Sequence, residues 1–338
     1  MVEAVKPIVR EFLGGDLREH EAVRAWRHFD PGCTAPGCIE VLKYKLKTAV
    51  YRLTGSGPGR AAVIAKKCRM ETARVERLIY EELLPRLPVP ALQCYGFLEE
   101  PDSEFCWLFL EDAGGERYSP AVAKHRALAG RWLGEAHTTV LPEDLKERLP
   151  DRSLKHYRRS LEHCRDTLRE HLDRNRALTE ESAVVFRAVA EHCDVIAAHW
   201  AQIEGACQQM PRSLVQGDFV IKNMRIRQGA RGAELLVYDW ELSGWGLPGT
   251  DLAQFVGKVA SPDLEVYCDV LKQCHRGLSV EQIQGVAACG NVLRLLDDVH
   301  WELTLLEFDS PMYLLKPVQA LQAYEPRLVK MLNALKWS

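Results

Sequence analysis

The sequence is defined first by what it lacks. Nowhere in its 338 residues is there a run of about 18 apolar side chains able to span a bilayer. Neither sign of charge dominates: 44 Lys and Arg stand against 47 Asp and Glu, a net charge of −3. That balance gives no electrostatic footprint for nucleic acid or an anionic membrane. Residues 1–7, Met-Val-Glu-Ala-Val-Lys-Pro, have no long apolar run after their charges and do not read as a secretory signal. Repeats and low-complexity tracts are absent. The eleven cysteines lack metal-binding spacing. Cys33 and Cys38 have no matching second pair, and Cys268, Cys274 and His275 are not spaced as in a zinc finger. Scattered through a long chain, they read as reduced core residues of a cytoplasmic protein.

What is present is concentrated between residues 214 and 241. Leu-Val-Gln-Gly-Asp-Phe-Val-Ile-Lys-Asn (214–223) precedes Leu-Leu-Val-Tyr-Asp-Trp-Glu (235–241). Met224 to Arg227 and Leu235 to Tyr238 read as two short strands, with the turn at 228–232. Asn223 enters this hairpin and Asp239 leaves it. Strand ends in a hairpin return to about 4.8 Å of each other, so an amide oxygen and a carboxylate are expected to converge on one divalent cation. Asp218 sits on the loop before them. Such hard oxygen ligands suit Mg²⁺ carrying phosphates. The bland alternative is a strand-turn-strand with polar ends.

This layout resembles the aminoglycoside phosphotransferase and choline kinase branch of the protein-kinase-like superfamily, in which a His-Gly-Asp-x-x-x-x-Asn loop precedes a strand ending in Asp. By that resemblance Asp218 is the catalytic residue, and Asn223 and Asp239 are the metal ligands. Gln216 stands where the family has His. The implied fold is α+β: a small β-rich N-terminal lobe with one main helix, residues 1–113 with the linker, and a larger, mostly helical catalytic and acceptor lobe, 114–338. The implied activity is transfer of a phosphoryl group from ATP, or GTP, with Mg²⁺, to a hydroxyl of a small molecule such as an aminoglycoside-like antibiotic or an amino alcohol. No nucleic acid or membrane partner is implied.

The N-terminal half is consistent with that resemblance. Residues 1–30 look helical and then irregular, with a break at Gly14-Gly15. Ile39 to Tyr44, Ala49 to Thr54 and Ala61 to Cys68 read as strands, Thr72 to Leu84 as a helix, and 91–96 and 105–110 as two further strands. Lys66 ends the apolar run Ala-Val-Ile-Ala-Lys, where a charge needs a partner. The resemblance makes it the phosphate-binding lysine, with Glu76 as its partner; Glu81 and Glu82 are alternatives. Alternation sends Lys67 to the other face. The Gly55-Ser-Gly-Pro-Gly-Arg60 cluster imitates a phosphate loop, but it lies between the second and third strands, where a plain hairpin turn is expected. The family's nucleotide loop corresponds to 45–48, which has no glycine; Lys45 and Lys47 are candidate charges there. Backbone groups of Glu111 and Ala113, in a linker-like stretch, are expected to meet the adenine edge.

Beyond the linker the pattern turns helical. Val122–Thr138 is one helix, with His137 expected to brace the catalytic loop. In the next, Leu154, Tyr157, Leu161, Cys164, Leu168 and Leu172 share a face. A third runs from Glu180 to Ile203, and several follow Asp251, itself read as a helix N-cap. Asp297, Asp298, Trp301, Glu302, Glu307 and Asp309 form an acidic and aromatic mixture suited to a cationic acceptor. Two other functions stay open at this point. One is a catalytically impaired kinase-like nucleotide-binding protein, prompted by Gln216 and the missing glycines. The other is a metal-dependent hydrolase using Asp218 and Asp239.

Overall fold

The computed structural model describes residues 11–13, 16–45, 47–101, 103–208, 210–230, 232–307 and 311–337. The class is α+β, and the chain forms two compact units. The first takes the described residues up to Glu116 and also Arg225–Glu241; the second comprises Arg117–Met224 and the described residues from Leu242 onward.

The first unit is built on an antiparallel sheet. Its strands are β1 (Glu11–Leu13), β2 (Cys38–Lys45), β3 (Thr48–Thr54), β4 (Val63–Arg69), β5 (Cys94–Glu99) and β6 (Phe105–Glu111). They lie in the order β1-β2-β3-β4-β6-β5. The five expected strands are present, with shifted ends. The N-terminal stretch differs from its helical reading, since β1 precedes a single helix, α1 (Glu21–Phe29); Gly14-Gly15 lie outside the described residues. The amphipathic face of α1 explains its docking. Trp26 is buried against the sheet, 5.0 Å between ring centroids from Phe109.

The indole Nε1 of Trp26 donates to the Ser56 carbonyl at 3.0 Å, and Thr34 donates to the Gly55 carbonyl. The glycine cluster therefore lies in the β3–β4 connection, as expected, and buttresses the core. After β4 the chain turns directly into α2 (Met70–Leu78), which continues through a π-turn at Ile79–Leu83 and a 3₁₀ turn at Leu84–Arg86. Pro85 lacks an N–H to continue the ladder. Strands β10 (Met224–Gly229) and β11 (Gly232–Val237) form the expected hairpin.

The chain leaves the first unit through β7 (Glu116–Arg117). The second unit contains α3 (Ala123–Thr138), α4 (Glu143–Arg148), α5 (Leu154–Arg174), α6 (Glu180–Ala198), α7 (Trp200–Cys207), α8 (Leu264–Leu271), α9 (Val280–Leu303) and α10 (Pro311–Ala334). A small sheet of β8 (Asp151–Arg152), β12 (Gly244–Gly246) and β9 (Ser213–Val215) leads into the loop at 216–223. Of the stripe expected on α5, Tyr157, Leu161, Cys164 and Leu168 are buried, and the outer members are half-buried. That face packs against α6 and α9.

The helix expected over 180–203 is two helices. His199 leaves the helical path (φ −100°, ψ 13°); its ring stacks on Trp337 at 5.0 Å and its Nδ1 lies 2.9 Å from the Val195 carbonyl. All eleven cysteines are free, and seven of them are buried. Among the described residues no helix is long and apolar enough to cross a membrane.

Close packing of α3 on α8 in the second unit uses Gly130 and Gly134. A Cβ on Gly130 of α3 would collide with the Asp263 carbonyl before α8, and one on Gly134 would lie 2.7 Å from Val270 Cβ. Gly205 of α7 faces open space. We therefore expect opposite signs from one substitution. Gly130→Ala should destabilise by about 1–3 kcal/mol through overpacking, despite better helix propensity. Gly205→Ala should stabilise by up to about 1 kcal/mol. Urea unfolding of both variants checks this, and a stabilised Gly130→Ala would refute the packing argument.

Candidate active site

In the first unit the site is a cleft, open to solvent at its mouth, between β2, β3, β4 and the stretch that follows β6. Apolar walls come from Leu42, Val50, Ile64, Leu92 and Leu110, and Glu111 to Ala113 lie at its edge. Lys66, Glu76 and Asp239 occupy the polar end. Strand alternation aims Lys66 inward. Its Nζ is 2.8 Å from Glu76 Oε2, 2.6 Å from Asp239 Oδ1 and 3.5 Å from Glu241 Oε2. Lys67 points the other way, to Glu21 at 3.0 Å and Glu100 at 3.1 Å.

Glu76 is the lysine's partner, not Glu81 or Glu82, because α2 starts directly after β4 and turns position 76 inward. Its other oxygen accepts the backbone N–H of Trp240 at 3.1 Å. Burial pulls the Lys66 ammonium down, but the carboxylates of Glu76, Asp239 and Glu241 outweigh it and hold its pKa well above the ordinary value. Burial raises the Glu76 carboxyl against the pull of Lys66. Three carboxylates surround the one ammonium, and Arg225 lines the same end of the cavity. Asp239 has φ +63°, a left-handed conformation costing a non-glycine residue roughly 1–2 kcal/mol, and such strain clusters at functional positions.

Two features of this cavity were not read from the sequence. Arg52 of β3 donates to Asp112 at 2.8 Å and pairs with the buried Glu40, tying the linker-like stretch to the sheet. Arg227 donates to the Glu111 side chain at 2.9 Å, and the Glu111 N–H donates to the Gln93 carbonyl at 2.9 Å. Neither Lys45 nor Lys47 lines the cavity, whereas Lys43 and Arg225 do. A register shift between Val41 and Lys43 places both Leu42 and Lys43 along the cavity, whereas strict alternation would part them.

In the second unit the loop carrying Asp218 is held from several sides. The N–H groups of Gln216 and Gly217 donate to the Asp251 carboxylate at 2.7 and 2.9 Å. Asp251 follows a 3₁₀ turn at Pro248–Thr250 and caps no helix N-terminus, contrary to the sequence reading. His137, whose ring lies 3.0 Å from the Tyr267 hydroxyl, has its Nε2 3.6 Å from Asp251 and so backs the loop as expected. The Gln216 side-chain oxygen accepts the Asp218 N–H at 2.8 Å. It thus supports the loop.

Asn223 donates its Nδ2 to the Asp218 carbonyl and to Oδ2, each at 3.0 Å. With its nitrogen committed, its oxygen is the group left to ligate. Asp218 also meets Lys222 at 3.1 Å and Arg294 at 2.7 Å. Arg294 had no signal in sequence, lying 76 positions away on a helix with no motif.

The acidic residues of α9 lie beside basic neighbours. Asp298 pairs with Arg294 at 3.1 Å, Glu302 with Lys316 at 2.9 Å, and Asp297 lies 3.5 Å from His156. Trp301 is 63% exposed. Asp309 and the side chain of Glu307 lie outside the described residues.

Among the described residues no group of three or more His, Cys, Asp and Glu side chains is arranged to hold a metal ion. The donor set is still right for Mg²⁺, which is commonly held by one or two carboxylates together with substrate phosphates. The Asp239 carboxylate in the first unit and the Asn223 amide oxygen in the second are each, taken separately, hard donors of that kind.

A model of the phosphotransferase enzyme family matches residues 47–267. No curated protein sequence matches the chain. Several solved structures share the fold. Aminoglycoside 2′-phosphotransferase-IIIa, in its GDP complex, superposes with a TM-score of 0.62 at 12% identity, over 91% of this chain and 99% of its own. Spectinomycin phosphotransferase, with ADP and spectinomycin, gives 0.59 at 10% identity over 90% and 94%. The Plasmodium vivax ethanolamine kinase gives 0.57 at 14% identity over 85% and 82%.

The opposed faces of Lys66 and Lys67 generate a test. Lys66→Ala removes a charge-assisted contact from the cavity, worth about 1.5–3 kcal/mol. It should weaken binding of a fluorescent ATP analogue by roughly ten- to hundredfold on that energy scale. Lys67→Ala should leave affinity nearly unchanged. Equal losses would show that the cavity does not read β4 in this register.

Proposed function

The chain belongs to the phosphotransferase enzyme family, and we propose that it transfers the γ-phosphoryl group of ATP, or of GTP, to a hydroxyl of a small molecule. The observation that carries the reading is the buried Lys66, held between Glu76 and Asp239 on the wall of an apolar-sided cleft. Lys66 steadies the phosphates and Glu76 steadies Lys66. Backbone groups of Glu111 and Ala113 meet the base. Asn223 and Asp239 would hold Mg²⁺, which would supply charge neutralisation on the phosphates when bound. Asp218 orients the acceptor hydroxyl and takes its proton. The acceptor oxygen forms its bond to the γ-phosphorus as the bond to the β-phosphate oxygen breaks, and the nucleoside diphosphate leaves. Because this transition state is loose, positioning and electrostatics do most of the catalysis.

On this reading residues 1–113 are the nucleotide-binding lobe with its linker, and 114–338 the catalytic and acceptor lobe. The acceptor class is an amino alcohol or an aminoglycoside-like compound, as in the named relatives. The eleven free cysteines support a reducing compartment, the cytoplasm.

Two isosteric changes separate the roles. Asp218→Asn removes the proton acceptor, so transfer should slow by about 10²–10⁴-fold while Mg-ATP affinity barely moves. Asp239→Asn weakens a phosphate-side ligand, so both transfer and metal-dependent nucleotide binding should fall. Calorimetry with Mg-ATP and a phosphotransfer assay across hydroxylated amines and antibiotics measure both. Near-full activity of Asp218→Asn, or normal Mg-ATP binding by Asp239→Asn, would defeat these assignments.

A further inference from the structure

We propose that Arg294 of α9 is the positioning residue for Asp218, fixing the carboxylate in the orientation from which it meets the acceptor hydroxyl; this rests on the phosphotransfer reading above. Asp218 is buried, and its two oxygens are held differently. Oδ2 receives Asn223 Nδ2 at 3.0 Å and Lys222 Nζ at 3.1 Å. Oδ1 receives Arg294 Nη2 at 2.7 Å. The same guanidinium donates through Nη1 to the Gly217 carbonyl at 2.8 Å. One planar group therefore spans the carboxylate and the backbone just before it, which restrains the side-chain torsions of Asp218 against its own main chain.

Lys222 cannot do this. Its ammonium is a point charge on a flexible stem, and its side chain is 62% exposed, against 13% for Arg294.

Arg294 is itself aimed. Asp298, one helical turn along α9, lies 3.1 Å from the same Nη2. Asp298 is half-buried; burial raises its carboxyl to about 6, with Arg294 pulling the other way, and its contact aims the guanidinium. The backbone on the other side is equally confined: Gly217 has φ +79°, and a Cβ there would collide with the Leu242 carbonyl. The loop and α9 thus meet through a chain of three charges, Asp298, Arg294 and Asp218. A misplacement of about 1 Å at a reacting group can cost roughly 10²-fold in rate, which is the scale such a clamp has to guard.

A double-mutant cycle on the full chain tests this. Asp218→Asn, Arg294→Met, Arg294→Lys and the Arg294→Met/Asp218→Asn double variant are compared. Radiolabelled Mg-ATP is the donor, with water, ethanolamine and kanamycin as acceptors. Arg294→Met should lower kcat by about 10–100-fold with KM for ATP unchanged. Arg294→Lys should fall between it and the wild type, since it keeps the charge and loses the fork. In the Asp218→Asn background Arg294→Met should cost less than about twofold, because residues acting as one unit are not additive. A residue that only supports the fold would show its full cost in both backgrounds.

If Arg294→Met does not fold, Asp298→Asn carries the cycle. It should lower kcat modestly and have no further effect once Asp218 is Asn. Retained kcat in Arg294→Met, or an undiminished loss in the Asp218→Asn background, overturns the proposal while an impaired Asp218→Asn leaves phosphotransfer standing. A wild type without transfer to any acceptor, or a fully active Asp218→Asn, overturns the phosphotransfer reading and this proposal with it.

Discussion

The first unit is organised around one buried ammonium. Lys66 Nζ has carboxylates of Glu76, Asp239 and Glu241 within 3.5 Å, and each arrives from a different constraint. Glu76 comes from a helix that starts one residue after β4, while Asp239 and Glu241 come from the chain just beyond β11. Breaking a buried pair by deleting one partner typically costs about 3–5 kcal/mol, because the other charge is left uncompensated. The lysine therefore fixes strand, helix and hairpin exit relative to one another. Asp239 reaches the ammonium from a left-handed backbone, φ +63°, which a non-glycine residue adopts only at a cost.

The second unit applies the same logic with backbone groups. Two successive N–H groups of the 216–217 segment are taken by one carboxylate, Asp251, and a third, that of Asp218, by the side chain of Gln216. A buried acid here is stabilised by hydrogen bonds from the main chain, and in return dictates the loop's path. The departure at 216 from the family's His is thereby absorbed. A carboxamide oxygen can accept from the Asp218 N–H, and the Ser243 hydroxyl meets the Gln216 carbonyl at 3.3 Å. Loop geometry that another residue could secure with an imidazole is secured with an amide.

How much of this was legible in the sequence depended on whether the signal was local. Strand alternation separated Lys66 from Lys67, and the short motif around Asp218, Asn223 and Asp239 carried family information in a few residues. The α5 stripe was readable for the same reason, because 3.6-residue periodicity is a local property. The failures were tertiary. The break at His199 depends on Trp337, 138 positions away. Asp251 looked like an N-cap because Asp before an apolar stretch often is one; only the fold shows that its oxygens turn back to the 216–217 amides. Arg294 sits in a helix without any motif, and its importance arises solely from what the packing brings beside it. The short strand β1 was lost in a segment too brief to show a period.

The missing glycines at 45–48 fit this division. A glycine-rich loop lets backbone amides approach phosphates closely; without it, charge must come from side chains. The cavity's cations are not equivalent in that respect. Arg52 is committed to Asp112 and Glu40, and Lys66 to its carboxylates. Lys43 is half-buried on the cavity wall, and among the described residues no ion pair engages it. It is there because the strand shifts register at Leu42, so a single irregularity of β2 puts both an apolar and a cationic side chain over the cavity. A β-bulge of this kind re-aims a side chain at low cost to the sheet. Here it brings, from an otherwise regular strand, one further positive charge to the cavity wall.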